Sequence, residues 1–235
     1  MSIYAIGDLH LSFSQDKPMY IFGDNWIGHD EKIKKDWIKK ITDNDLVLLP
    51  GDFSWSTYLN DTYKDFEYIN NLPGKKLLLK GNHDYWWTTI TSMRRYINEN
   101  KFSNIDFIYN NSFEFDNCII AGTRGWSLSD EDQEKKFIKR ELIRLELSLS
   151  DAVKRYGENK EIIVCMHYPP ITRSKILNSE KLEFVDLMKK YNVKKCIYGH
   201  LHAAAINDAI EGNIQGIEFK LVSADSLDFK MYKVI

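Results

Sequence analysis

Asn82, His83 and Asp84 stand consecutively behind the apolar run Leu77-Leu78-Leu79, set off by Gly81. An amide, an imidazole and a carboxylate in one turn are side chains that bind cations and move protons. Four more apolar runs end the same way. Ile3 to Ile6 leads to Asp8 and His10, Leu46 to Leu49 leads to Asp52, Ile162 to Met166 leads to His167, and Cys196 to Tyr198 leads to His200 and His202. Short apolar runs bounded by turn residues read as buried strands, and open α/β sheets bind ligands beyond the carboxyl ends of their strands.

The donor types specify the chemistry further. Asp8 and His10 are two apart, so in extended backbone their side chains share a side and can share a cation. Asp52 has two oxygens with which to bridge two cations, Asn82 adds a neutral oxygen, and His167, His200 and His202 add ring nitrogens. No thiolate is offered. Mixed oxygen and nitrogen ligands suit divalent Mn, Fe, Zn, Co or Ni better than a structural cysteine-type zinc site. Gly199, just before His200, is expected to let the backbone turn tightly.

The ordered set Asp-x-His, Gly-Asp, Gly-Asn-His-Asp, a single His and Gly-His-x-His, running from Asp8 to His202, resembles the calcineurin-like metallophosphoesterase superfamily. The resemblance implies a four-layer αββα sandwich, two mixed sheets packed face to face with helices outside. It implies one divalent metal ion on Asp8, His10, Asp52 and His202, and a second on Asp52, Asn82, His167 and His200. The implied reaction is hydrolysis of a phosphomonoester or phosphodiester by a hydroxide bridging the two ions. His83 is expected over the leaving-group oxygen as a general acid or transition-state stabiliser. Asp84 is a candidate to orient His83, its rival role being that of a loop cap.

The superfamily's serine/threonine protein phosphatases carry an arginine shortly after the Gly-Asp motif. Here the stretch reads Gly51-Asp52-Phe53-Ser54-Trp55-Ser56, with no arginine, which argues against a protein phosphatase. Arg124 is the candidate replacement, because guanidinium matches phosphate bidentately; the alternative is a structural ion pair. Trp55, Trp86, Trp87 and Trp126 all follow motif loops, where they either stack on a flat substrate group or plug the gap between strands and loops. Rival functions are a nuclease or cyclic-nucleotide phosphodiesterase, and a silent scaffold of the same fold; the complete set of seven ligand candidates opposes the scaffold.

The elements that must position these residues alternate strand and helix through residue 99, as a parallel sheet with crossover helices does. Residues 11–30 form a long polar and aromatic segment at the rim of the site, with Asp30 expected to cap a helix to about 42 and His29 read as loop structure. A helix is expected over 57–71 and another from about 88 to 99. Short strands at 105–109, 113–115 and 118–121, separated by Asn110-Asn111 and Asp116-Asn117, read as a hairpin or meander. A long helix follows through Tyr156, with Ser129 and Asp132 as a capping pair. Strand 161–166, helix 180–191 and strand 195–198 restore the alternation, and 214–233 reads as antiparallel strands.

Length and composition fit a single domain over 1–235: the chain is 43% hydrophobic, 28% charged and 13% aromatic, without a linker-like stretch. A formal charge of -2 provides no field for bulk nucleic acid, so the expected partner is a small phosphorylated substrate, nucleotides included. No leader and no membrane-length apolar run are apparent, and the expected location is the cytoplasm. Cys118, Cys165 and Cys196 lie inside apolar runs and read as packing residues.

Overall fold

A computed structural model describes residues 1–128 and 132–235. The first sheet has the order β11-β1-β2-β3-β4, from β1 (Ile3–Ala5), β2 (Leu46–Leu49), β3 (Lys75–Leu78), β4 (Ile105–Phe107) and β11 (Tyr232–Lys233). The second has the order β5-β6-β7-β8-β10-β9, from β5 (Phe113–Phe115), β6 (Cys118–Thr123), β7 (Glu161–Met166), β8 (Val193–Tyr198), β9 (Gly212–Ile214) and β10 (Ile217–Leu221). Both are mixed, parallel through β1–β4 and through β6–β7–β8–β10, with antiparallel edges.

Three apolar layers hold the sandwich together, and strand alternation explains why. On β2, Leu46 and Leu48 face the second sheet while Val47 and Leu49 face the helices. On β7, Ile163 and Cys165 face the first sheet and Ile162, Val164 and Met166 face outward. Each buried aliphatic side chain of this size contributes about 1.5–3 kcal/mol, and a one-residue slip would exchange the two faces, so register is strongly specified. Ile33 and Trp37 of α1 (His29–Lys40), Phe66 and Ile69 of α2 (Tyr63–Asn70), and Met93 and Ile97 of α3 (Ile90–Glu99) close the outer layer on the first sheet. α4 (Asp132–Tyr156) and α6 (Glu183–Lys190) close the other through Ile138, Leu145 and Leu149, and through Phe184, Val185 and Met188. This is the αββα sandwich. All three cysteines are free and buried.

Several local expectations change. Gly28, in left-handed backbone at φ 62°, precedes α1, and Asp30 lies in the first turn, where its charge favours the helix dipole without capping it. Residues 59–62 form a separate 3-10 turn before α2, and a short α5 (Arg173–Leu177) precedes α6. Asn110-Asn111 is no hairpin turn: β4 stays in the first sheet, and of these three strands β5 and β6 alone pair as a hairpin. In the tail, β10 pairs antiparallel with β9 yet parallel with β8, and β11 returns to β1. The expected Ser129–Asp132 cap lies outside the described residues. Among the described residues no helix is long and apolar enough to cross a membrane.

The sheets meet at their carboxyl ends. Gly7 after β1 donates to Val222 O (2.7 Å) and accepts from Ala224 N (3.0 Å), so the loop after β1 is stitched to the chain leaving β10. That seam brings motifs from both sheets together.

Candidate metal centre

All seven proposed ligands converge on this seam. Asp52 Oδ2, after β2, lies 3.8 Å from His10 Nε2 and 3.7 Å from His167 Nε2. Asp8 Oδ1 is 3.3 Å from His202 Nε2 and 3.9 Å from His167 Nδ1. Asn82 Oδ1 lies 2.6 Å from His167 Nε2 and 2.9 Å from His200 Nδ1. Asp8, His10 and His202 form one group able to hold a cation, and Asp8, Asp52 and His167 form another. Asp8 therefore takes part in both groups, whereas Asp52 belongs to the second and approaches the first through His10.

The backbone at this centre departs from the extended geometry expected for Asp8 and His10. Asp8, His10, Asp52 and His200 all have positive φ, at 58°, 46°, 50° and 76°. Residues with a Cβ seldom occupy this region, and such strain collects at functional sites where neighbours over-determine the chain. Those neighbours are visible: Asp8 N donates to Gly51 O at 2.9 Å, His10 N to Asp52 O at 3.0 Å, and His200 N to both Asp8 carboxylate oxygens at 3.1 Å. Gly199 does not supply a left-handed turn; a Cβ there would run into Asp8 Oδ2. Gly81 is likewise held against Asp52. Both glycines are there for close approach.

Asp84 is fully buried, and its carboxylate accepts from Gly81 N (2.7 Å), Asp52 N (2.9 Å), Phe53 N (2.9 Å), Ser54 N (3.3 Å) and Trp86 Nε1 (3.0 Å). These bonds tie the Asp52 loop to the Asn82 loop. They support the loop-capping role in place of a partnership with His83. Burial, with Asp52 nearby, pushes the Asp84 carboxyl up to about 6.

His167 Nδ1 donates to Pro50 O at 2.9 Å, which leaves Nε2 bare toward Asn82 and Asp52. His202 is oriented by a residue not anticipated from sequence: Asp225, whose Oδ1 is 2.7 Å from His202 Nδ1 and whose Oδ2 accepts from Ala203 N at 3.1 Å. Asp225 follows β10 by four positions, so the only available signal was another carboxylate beyond another strand end.

The electrostatics are those of a cation site. Burial works against charge on His202, but its hydrogen bond to Asp225 and the negative charge of Asp8 raise it to about 10. Burial and the Asp8 charge push Asp52 up to about 8, while burial and His167 take His200 down to about 3. His10 Nδ1 and His202 Nε2 are buried without a hydrogen-bond partner, the 3.3 Å approach of His202 to Asp8 being poorly aligned for one. Crowded carboxylates with buried, unpaired ring nitrogens cost stability unless something else satisfies them. A pair of divalent cations fits this donor set, in which oxygen and imidazole nitrogen alone face the centre.

His83 stands at the rim, its ring 5.8 Å from His10 and 4.6 Å from Trp55. Burial and then the neighbouring His167 lower its pKa, which favours the neutral ring. Beside it lies an apolar pouch of about 170 Å3 walled by Met19, Phe22, Trp26 and Trp55. Trp55 stacks on His10 at 4.7 Å, and Trp26 meets both His10 and His202 edge-on at 5.9 Å. Trp26 belongs to the 11–30 segment, whose 3-10 turns fold it inward. Trp86 and Trp87 are buried plugs. His29 is held by Trp26 O and Leu9 O, a structural role.

Arg124 is placed differently from the expectation. Its carbonyl accepts from His167 N (3.2 Å) and Tyr168 N (2.9 Å), but its guanidinium lies over Trp126, 4.3 Å from the ring centroid, in a separate cleft toward α4.

Comparison with known proteins accords with this geometry. The family profile described as calcineurin-like phosphoesterase matches residues 1–204. A search of curated proteins finds no relative. Among solved structures, a protein of unknown function from Aquifex aeolicus is similar at TM-score 0.52 and 17% identity, covering 99% of this chain and 95% of that one. A phosphopantetheinyl hydrolase from Mycobacterium tuberculosis is similar at TM-score 0.57 and 12% identity, covering 100% and 95%. A protein of Thermus thermophilus is similar at TM-score 0.55 and 13% identity, covering 85% and 81%. At these identities the likeness is one of fold alone. With the profile spanning every motif from Asp8 to His202, the chain belongs to the calcineurin-like phosphoesterase family.

Proposed function

We propose that this protein is a metal-dependent phosphohydrolase acting on a small phosphomonoester or phosphodiester. The observation that carries the reading is the approach of Asp52 Oδ2 to both His10 Nε2 and His167 Nε2, at 3.8 and 3.7 Å. Asp8, His10, Asp52 and His202 would hold one divalent ion, and Asp52, Asn82, His167 and His200 the other. When bound, such a pair acidifies water and neutralises charge on a phosphoryl group.

The remaining work falls to side chains. Asp225 and Pro50 O fix which nitrogen His202 and His167 present. His83 donates an N–H toward the leaving-group oxygen at the mouth of the pouch. Trp26, Trp55, Phe22 and Met19 shield that mouth from water and receive the apolar part of the leaving group. A diester reading, including cyclic nucleotides, is favoured by one feature, the aromatic wall, which suits a flat base.

The test loads metal-stripped protein with Mn, Ni, Co or Zn and compares p-nitrophenyl phosphate, bis-p-nitrophenyl phosphate and cyclic nucleotides. Metal-dependent turnover of at least one is expected, and none with any metal would refute the proposal. In His83→Ala with metal content unchanged, kcat for a poor leaving group should fall about 100-fold or more, and much less for p-nitrophenolate. Undiminished turnover would remove the role given to His83.

A further inference from the structure

We infer that the cleft between β6 and α4 is a second anion subsite, which holds a distal phosphate of the substrate while another is hydrolysed. This rests on the phosphohydrolase reading for its connection to the metal centre. The cleft has a volume of about 290 Å3 and is lined by Lys80, Arg124, Arg140 and Arg144 with one carboxylate, Glu141. Among the described residues, four cations against one anion is a local excess of positive charge on a chain whose formal net charge is -2.

Glu141 is already committed. Its Oε1 accepts from Arg144 Nη1 at 2.8 Å and Arg140 Nε at 3.2 Å, and its Oε2 accepts from Thr123 Oγ1 at 2.7 Å. Lys80 and Arg124 have no hydrogen bond or ion pair from their side chains among the described residues, and Arg124 Nε is buried without a partner. Two half-buried cations left unpaired beside two more repel one another. A phosphate oxygen would satisfy both side chains at once, and guanidinium and ammonium donors in a partly dehydrated cleft are suited to one.

The cleft adjoins the metal centre. Lys80 lies two residues before Asn82, and the Arg124 carbonyl binds the backbone of His167. The Tyr168 ring bridges the two spaces, 4.2 Å from the His200 ring and 5.9 Å from that of Trp126. Trp126 in turn packs on Phe137 at 4.5 Å, giving the cleft a flat apolar wall beneath Arg124. A substrate spanning both spaces carries two phosphates, as a nucleoside bisphosphate does.

The test uses adenosine 3′,5′-bisphosphate against the two adenosine monophosphates, with the full chain in its metal-loaded form. The expected kcat/KM is higher for the bisphosphate, and Lys80→Met should reduce that preference about tenfold, mainly through KM. A binding arm is independent of turnover: the bisphosphate should quench tryptophan fluorescence saturably, with the signal lost in Trp126→Phe and affinity about tenfold weaker in Lys80→Met. Saturable quenching with no hydrolysis of this or any other phosphoester would sink the phosphohydrolase reading and leave the anion subsite standing. Equal kcat/KM for mono- and bisphosphates, equal affinity of Lys80→Met, or quenching by inorganic phosphate alone with no bisphosphate preference would each overturn the substrate subsite.

Discussion

His202 Nδ1 lies 2.7 Å from Asp225 Oδ1, and the other ring nitrogen is turned toward Asp8 Oδ1 at 3.3 Å. A carboxylate behind an imidazole fixes the tautomer, raises the basicity of the far nitrogen and holds the ring in one orientation. Asp225→Asn keeps the shape and removes the charge. The expected outcome is a metal affinity about 10–100-fold lower, read by competition with a chelating dye, with activity recovered at high metal concentration. Unchanged affinity would mean that Asp225 only braces the loop at Ala203.

Gly199 tests the close approach between motifs. A Cβ at this position would collide with the Asp8 carboxylate, which is buried and cannot swing aside. Gly199→Ala should therefore abolish metal binding at the Asp8 group while circular dichroism remains that of the folded protein. Gly157→Ala is the control: its Cβ would meet nothing within 4 Å, and only its positive φ of 80° is strained. Its cost should be limited to about 1 kcal/mol of stability, with metal binding intact.

Asp84 predicts a stability effect larger than an ordinary polar substitution. In Asp84→Asn one oxygen becomes an NH2 group, which then faces backbone N–H donors that the carboxylate had accepted. Leaving buried donors unpaired costs about 1–3 kcal/mol each, so the melting temperature should drop by several degrees. A drop in activity alone, with an unchanged melting curve, would return Asp84 to a role beside His83.

Lys76 predicts a pH dependence far from the metal centre. It is buried with its Nζ 5.8 Å from the Trp37 ring of α1, donates to Leu72 O, and burial lowers its ammonium to about 7 from an ordinary 10.5. The folded state thus binds fewer protons than the unfolded state between those values, so this lysine makes stability rise with pH across that interval. Below about 7 the cost of the buried charge is fully present. Lys76→Met should raise the melting temperature most below pH 7, with the gain shrinking toward pH 10. A gain independent of pH would show that the ammonium is neutralised by another route.

Much of the site was legible in the chain itself, because each ligand candidate is signalled locally: an apolar run, then a donor. Asp8, His10, Asp52, Asn82, His167, His200 and His202 could be named on that pattern, and the order of motifs pointed to the αββα sandwich. Donor chemistry and strand alternation are properties of short segments, and they survive whatever packing surrounds them. The other features depend on long-range contacts. That Asp225 stands behind His202, that Asp84 laces two loops together, and that Arg124 turns its guanidinium toward α4 follow from which strand ends meet at the seam. The left-handed backbone at Asp8, His10 and Asp52 is equally a tertiary matter, since local preference opposes it and only hydrogen bonds from distant segments hold it.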